Sequence, residues 1–317
     1  MLKFSDEFNL KSVNGHADLE FIDINLEKDT KLFLDPSLIE SNDDEWCKEA
    51  NIILNNYFNN VFEAYKNKQN DVLYKLFSFG KEPNETFLGL SESEPKGKGN
   101  SAEGLIKVFE DILKRGLIED KLIEKTMDLC VFVHDFAEDG MSDLVTNVLR
   151  KKLNEFTLEQ CKIHGIPISD NKVEVGMAWN EITQSWEKII DNVLLYKDKK
   201  ILLVPKRIVR KNYIYSIDTY LNKKILEHRQ EYHLKNNTSM TVFKKYKNGK
   251  ERIIPPSKKK LRKIELREIS SKDFVTNYTK RNPQLIEEFR KDMYSKSVLG
   301  QYKLKDEELD EIVYEDK

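Results

Sequence analysis

The sequence predicts an α+β protein, with a mixed central sheet flanked by long helices and a basic C-terminal part built from a helix and a hairpin. Three observations carry this expectation. Apolar runs recur from Leu19 to Leu299, so a core can form although 34% of the residues are charged and only 39% are hydrophobic. Strand-like and helix-like stretches interleave without regular βαβ spacing, which argues against a doubly wound sheet. At 317 residues the chain is long enough for one large domain or two ordinary ones.

The elements follow in order. Leu19 to Leu26 alternates apolar and polar residues, the pattern of a half-buried strand. A second strand over Lys31 to Leu34 should end at Asp35-Pro36, because proline cannot donate to a ladder. The stripe Trp46, Ile53, Tyr57, Phe58, Phe62 and Tyr65 predicts a helix from about Asp44 to Asn67. Phe77 to Gly104 is rich in glycine and reads as a loop. Helices are expected over about 102–114 and 118–127, and the continuous apolar run Leu129 to Asp135 reads as a buried central strand. Glu138-Asp139-Gly140 makes a turn. Ser142 or Asp143 then caps a helix running to His164, where Gly165 ends it. A long helix is expected from Trp179 to Leu195, a short strand over Ile201 to Val204, and a helix from Tyr213 to His233. Thr241 to Ile254 reads as a hairpin turning at Asn248-Gly249. Helices at about 272–279 and 283–294 precede an acidic tail. The resulting division is an N-terminal part over 1–170 with an acidic strand-end cluster, a basic part over 171–300, and a tail over 301–317 expected to be disordered in part.

Residues 1–10 hold three charges and no apolar run, so they do not read as a signal peptide. No stretch approaches the roughly 18 apolar residues of a membrane span. Cys47, Cys130 and Cys161 are odd in number and far apart, which disfavours both disulfides and a thiolate zinc site. A reducing cytoplasm fits these features.

The net charge of −2 conceals a division: Lys197 to Ile264 holds 21 Lys plus Arg against 5 Asp plus Glu. Phosphate backbones reward such clustering through counterion release. The expected nucleic-acid contacts are Lys206, Arg207, Arg210 and Lys211 after a buried strand, and Lys244, Lys245, Lys247, Lys250 and Arg252 on the hairpin. Lys258, Lys259, Lys260, Arg262 and Lys263 extend the excess. Tyr213, Tyr215, Phe243 and Tyr246 are interleaved and offer rings for stacking. The alternative is a lysine-rich surface that faces solvent or an acidic partner protein.

The densest acidic constellation is His134 to Asp143. Asp135, Glu138, Asp139 and Asp143 would supply oxygen ligands of the kind Mg²⁺ prefers, with Asp35 joining if its strand lies alongside. In that reading Asp35, Glu138 and Asp143 hold the metal, while Lys206 assists attack on a phosphodiester. Helix capping by Ser142, Asp143 and Asp35 accounts for the same residues without chemistry.

A strand-end aspartate followed by a strand-end lysine resembles the core of the PD-(D/E)XK nuclease superfamily. The sequence departs from that pattern at Val204, where the family places an acid two residues before its lysine. The LFLDP, GIPISD and LLVPK pieces, with the segment from Phe274 to Asp292, also resemble uncharacterised bacterial proteins associated with phage-defence and restriction-type systems. This second resemblance implies a defence context and nothing finer. Joined to the basic segment and the strand-end acids, it leads to the expectation of a nucleic-acid-binding protein, either a Mg²⁺-dependent nuclease or a non-catalytic DNA/RNA-binding or adaptor subunit beside a separate effector. Other motifs fail. Gly97-Lys98-Gly99-Asn100-Ser101 lacks the P-loop spacing, HExxH is absent, and no GxSxG elbow appears.

Overall fold

The computed structural model describes residues 2–10, 13–80, 83–89, 102–134, 136, 138–245 and 251–314. Asp135, the glycine loop at 97–101, and Tyr246, Lys247, Asn248, Gly249 and Lys250 lie outside them. The class is α+β as the sequence predicts. In place of one mixed central sheet, the described residues form four separate two-stranded antiparallel sheets.

In chain order, α1 (Phe4–Glu7) precedes β1 (Phe33–Leu34), and Asp35 caps α2 (Pro36–Ser41) with Pro36 at its first position. The segment Leu19 to Leu26 forms only isolated bridges to its neighbours, Lys3 to Asn25 and Phe21 to Pro205. Of its polar residues only Glu20 faces solvent, while Asp23 and Asn25 are buried. Asp23 is buried and accepts from the Ser5 amide (2.8 Å) and hydroxyl (2.7 Å), which is why period-two alternation did not make a half-exposed strand here. Helix α3 (Glu45–Lys66), capped by Asp44, matches the expected stripe closely and is followed by α4 (Asn70–Phe77) and α5 (Ala102–Lys114).

The run expected as a central strand is instead α6 (Asp128–Phe132), buried on every side, and 118–127 forms turns rather than a helix. Continuous apolar character specifies burial but not backbone period, so strand and buried helix look alike there. The helix expected from Ser142 starts earlier, as α7 (Glu138–Val148), so Ser142 and Asp143 sit inside it rather than at its start. It breaks at Leu149 into α8 (Arg150–His164), which Gly165 ends in the left-handed region at φ 68°.

The helix expected over Trp179 to Leu195 is a hairpin, β2 (Val173–Asn180) with β3 (Ser185–Asp191). The Asn180 side chain accepts from the Ile182 (2.8 Å) and Thr183 (3.2 Å) amides, a side-chain-closed turn that supplies the reversal. Trp179 and Trp186 sit directly opposite each other, and both rings pack edge-on against Tyr57. A second hairpin joins β4 (Leu194–Tyr196) to β5 (Lys199–Ile201), and β6 (Val209–Arg210) pairs with β1. Helix α9 (Ile217–Tyr220) continues through a π-helical stretch, Leu221–Ile225, into α10 (Leu226–Lys235). The expected hairpin is present as β7 (Val242–Lys245) with β8 (Glu251–Ile254). Helices α11 (Lys258–Glu265), α12 (Ser271–Arg281) and α13 (Gln284–Val298) follow. Within the acidic tail, where partial disorder was expected, the described residues form α14 (Asp306–Tyr314), which buries Leu309 and Val313.

The chain divides into two compact units. One comprises residues 1–115, 135–213 and 296–317, and the other 116–134 and 214–295. A sequence division near residue 170 therefore falls inside the first unit. The first unit places Tyr57, Phe58, Tyr65, Phe77 and Phe109 in its core, at a few per cent exposure or less. The second is organised around buried Asp128, which accepts from the Glu124 (2.9 Å) and Lys125 (2.8 Å) amides and from Tyr215 Oη (2.6 Å). Arg290 completes that centre from Nη2 (2.8 Å) and also donates to the Leu122 carbonyl (3.0 Å), so a buried charge pair holds the irregular 116–127 segment. No helix among the described residues is long and apolar enough to cross a membrane.

Candidate nucleic-acid interface

The expected metal ligands belong to neighbouring elements of the first unit, since α7 packs on β1 and the Leu34 amide donates to Ser142 Oγ (3.0 Å). They do not converge. Among the described residues no group of three or more His, Cys, Asp or Glu side chains comes together as a metal site. Asp35 Oδ1 accepts from the Ser37 amide (2.8 Å) and hydroxyl (2.6 Å), the arrangement of a helix cap. Burial raises the Asp35 pKa, although the Ser37 bonds and the Arg210 charge oppose it. Metal ligation asks for the opposite, an ionised carboxylate with free lone pairs. Asp143 is buried in α7, and Glu138 lies half-buried in its first turn.

The first basic cluster is committed to structure. Lys206 Nζ donates to the His16 carbonyl (2.6 Å) and pairs with Asp306 of α14 (2.8 Å). Arg207 grips Asp44 with Nε (2.8 Å) and Nη2 (3.1 Å), so the cap of α3 is also an ion-pair partner. Burial works to raise the Asp44 carboxyl, but hydrogen bonds from Arg207 and Cys47 outweigh it and hold the pKa below the ordinary range. Arg210 is half-buried above the Tyr302 ring, and burial lowers its pKa. Of the four, Lys211 alone is exposed. Tyr213 and Tyr215, expected to stack on bases, are both 4% exposed and donate to the Leu34 carbonyl and to Asp128.

The second basic cluster faces outward. The second unit holds 22 Lys plus Arg against 14 Asp plus Glu, so the first must carry the acidic balance. In β7 all four residues are exposed, including Lys244 and Lys245, and Lys244 stands directly opposite exposed Arg252 of β8. Helix α11 begins at its Ser257 cap and buries only Leu261. Its exposed Lys259 and Lys263 are four residues apart and therefore share a helix face. Like charges placed directly across a ladder, or at i and i+4 on a helix, each cost a few tenths of a kcal/mol. Arg252, Lys259 and Lys263 make no ion pair among the described residues.

The base of this arm is braced. Gln230 Nε2 donates to the Pro256 carbonyl (2.7 Å), and Lys260 Nζ to the Met240 carbonyl (3.2 Å). Arg229 holds Glu265 with Nε (2.9 Å) and Nη2 (2.8 Å), while His233 Nε2 meets the same carboxylate at 3.1 Å. Burial raises the Glu265 pKa, but the Arg229 and His233 contacts prevail and depress it. Lys258 and Arg262 of α11 make surface ion pairs with Glu227 (2.6 Å) and Asp218 (3.1 Å). The sequence did not single out this helix as an element, although Ser257 before a basic run with Leu261 at its centre is a usable start signal.

A cleft of about 380 Å³ lies elsewhere in the first unit, between α3, α8 and the β2–β3 hairpin. Its lining includes Trp179, Ile52 and Ile182, with Lys152 paired to Glu49 and Glu155. None of Asp35, Glu138, Asp143 and Lys206 lines it.

Fold and surface together define an α+β protein with a compact, internally paired first unit and a second unit that carries an exposed cationic arm. The chain belongs to the family described as a domain of unknown function (DUF8370), whose model matches residues 12–216. The match ends before α9, so the arm lies beyond it. No curated protein and no solved structure matches the chain.

Proposed function

We propose that this protein binds nucleic acid through the β7–β8 hairpin and helix α11, as a binding module rather than through metal-dependent cleavage. The observation that carries the proposal is the like charge on the exposed face of a braced helix, Lys259 four residues before Lys263, beside a hairpin whose Lys244, Lys245 and Arg252 are exposed. Such placements oppose folding in isolation and favour a polyanion, whose bound counterions are released as phosphates are neutralised. The Mg²⁺ nuclease reading draws no comparable support, because its Asp35 is spent on a cap and its Lys206 on Asp306. In the defence setting implied by the sequence resemblance, such a module would bring a separate effector to invading nucleic acid.

The test is binding of the full chain to labelled DNA and RNA between 50 and 200 mM salt. With roughly six phosphate contacts, log affinity should fall with log salt at a slope of about −4 to −5. Affinity that ignores salt, or no binding at low salt, overturns the proposal. Parallel incubations with Mg²⁺, Mn²⁺ and EDTA complete the test. A metal-dependent cleavage product lost in Asp143→Ala would restore the nuclease reading.

A further inference from the structure

The register of the hairpin places an aromatic ring among its cations. Phe243 is 70% exposed, the most exposed phenylalanine or tyrosine among the described residues, and its strand neighbours Lys244 and Lys245 are exposed too. Because side chains alternate along a strand, Phe243 and Lys245 share one face with Ile253, which stands directly opposite Phe243, and with Glu251, which stands directly opposite Lys245. Lys244 and Arg252 share the other face. Each face of the ribbon therefore joins an apolar group to a cation. Exposing a ring of this size is unfavourable in water, so an occupant that covers it gains from the burial.

That occupant must be anionic and must also offer flat apolar faces. Nucleic acid meets both conditions, but a duplex keeps its base faces inside the stack and presents phosphates and groove edges instead. Unpaired bases are open to a ring, and stacking on aromatic side chains with cations tracking the backbone is how single strands are held without sequence readout. We infer that the arm takes single-stranded nucleic acid, with Phe243 stacking on an unpaired base while the cations of the hairpin and of α11 track the backbone on either side. This inference rests on the nucleic-acid reading above, which by itself leaves the strandedness open.

The experiment compares the full chain with Phe243→Ala, Phe243→Leu and Phe243→Trp, and with the double variant Lys259→Glu/Lys263→Glu. The probes are a labelled single-stranded oligonucleotide and the duplex of the same sequence, at one salt concentration. Thermal melting of each variant confirms that the exposed substitutions leave folding unchanged. The expected result is a tighter single strand, about tenfold weaker in both Phe243→Ala and Phe243→Leu and retained in Phe243→Trp, since leucine keeps apolar area but lacks a π face. Duplex affinity should move less than twofold in all three. A duplex bound as tightly as the single strand, or single-strand affinity indifferent to Phe243, overturns the inference. If the double variant still weakens binding in that case, the nucleic-acid reading stands without it. Wild-type protein that retains neither probe at low salt removes both.

Discussion

Lys206 and Arg207 in the first unit carry the same formal charges as Lys259 and Arg252 in the second, yet their surroundings give them opposite uses. The former pair meets carboxylates supplied from distant parts of the chain, Asp306 from α14 and Asp44 from the start of α3. The latter faces solvent on a braced arm, beside residues of the same sign. A run of basic residues is thus two things in one molecule: internal counterions where the fold returns an acid to meet it, and a surface field where it does not.

The largest effect expected from this difference is on binding. Reversing charge at Lys244, Lys245, Lys259 and Lys263 to glutamate should weaken nucleic-acid affinity at least 100-fold, about 2.7 kcal/mol, with little change in melting temperature. The same reversal at Lys206 and Arg207 should unfold the first unit before any effect on binding can be read, and a folded Lys206→Glu/Arg207→Glu variant with lost affinity would erase the distinction between the clusters.

Next in size is the cap of α3. Asp44→Ala removes both the acceptor for the Cys47 amide (3.0 Å) and the Arg207 partner, and should cost about 2 kcal/mol in denaturant unfolding while leaving affinity unchanged. Arg207→Ala removes the pair but keeps the cap, so its loss should be about half as large. A loss confined to binding in either variant would place Arg207 in the interface after all.

The pH dependence sharpens the same point. Asp44 has its pKa depressed in the folded state, so its contribution is present above the unfolded-state range near pH 4 and is lost as pH falls through the folded value. Stability of wild type and Arg207→Ala should therefore differ at pH 6 and converge as pH falls below the ordinary aspartate range. A constant gap across that window would mean that the guanidinium acts by packing on Trp46 and Phe156 rather than through the carboxylate.

The smallest effect expected is at Lys206. Lys206→Met keeps the aliphatic stem and loses the Asp306 pair and the His16 carbonyl bond, for about 1 kcal/mol or less. A much larger loss, with α14 becoming susceptible to protease, would show that this single pair fastens the C-terminal helix.

Much of the helical framework was legible because its signals are local. The stripe from Trp46 to Tyr65 with an aspartate before it and the glycine after His164 each fix a boundary within a few residues of the chain, whereas the helix expected from Tyr213 starts only at Ile217, after its Ser216 cap. The β7–β8 hairpin was legible for the same reason. Errors fell where pattern and period part company. Leu129 to Val133 is apolar on every side and became a helix, while Trp179 to Leu195 became a hairpin because an Asn180 side chain closes the turn and two tryptophans pair across it. The acidic constellation shows a different limit: among the described residues Asp35 is used as a cap and Asp143 lies inside α7, and no three such side chains meet at one point.

By itself, then, the sequence determined the α+β class, the long amphipathic helices and the hairpin that carries Lys244 and Lys245. These follow from periodicity and caps that act over a few residues. The tertiary structure alone decided which basic residues are available. That depends on acids such as Asp44 and Asp306, 163 and 100 positions away in the chain from the cations they neutralise, and pairing over such distances leaves no periodic trace for a single sequence to show.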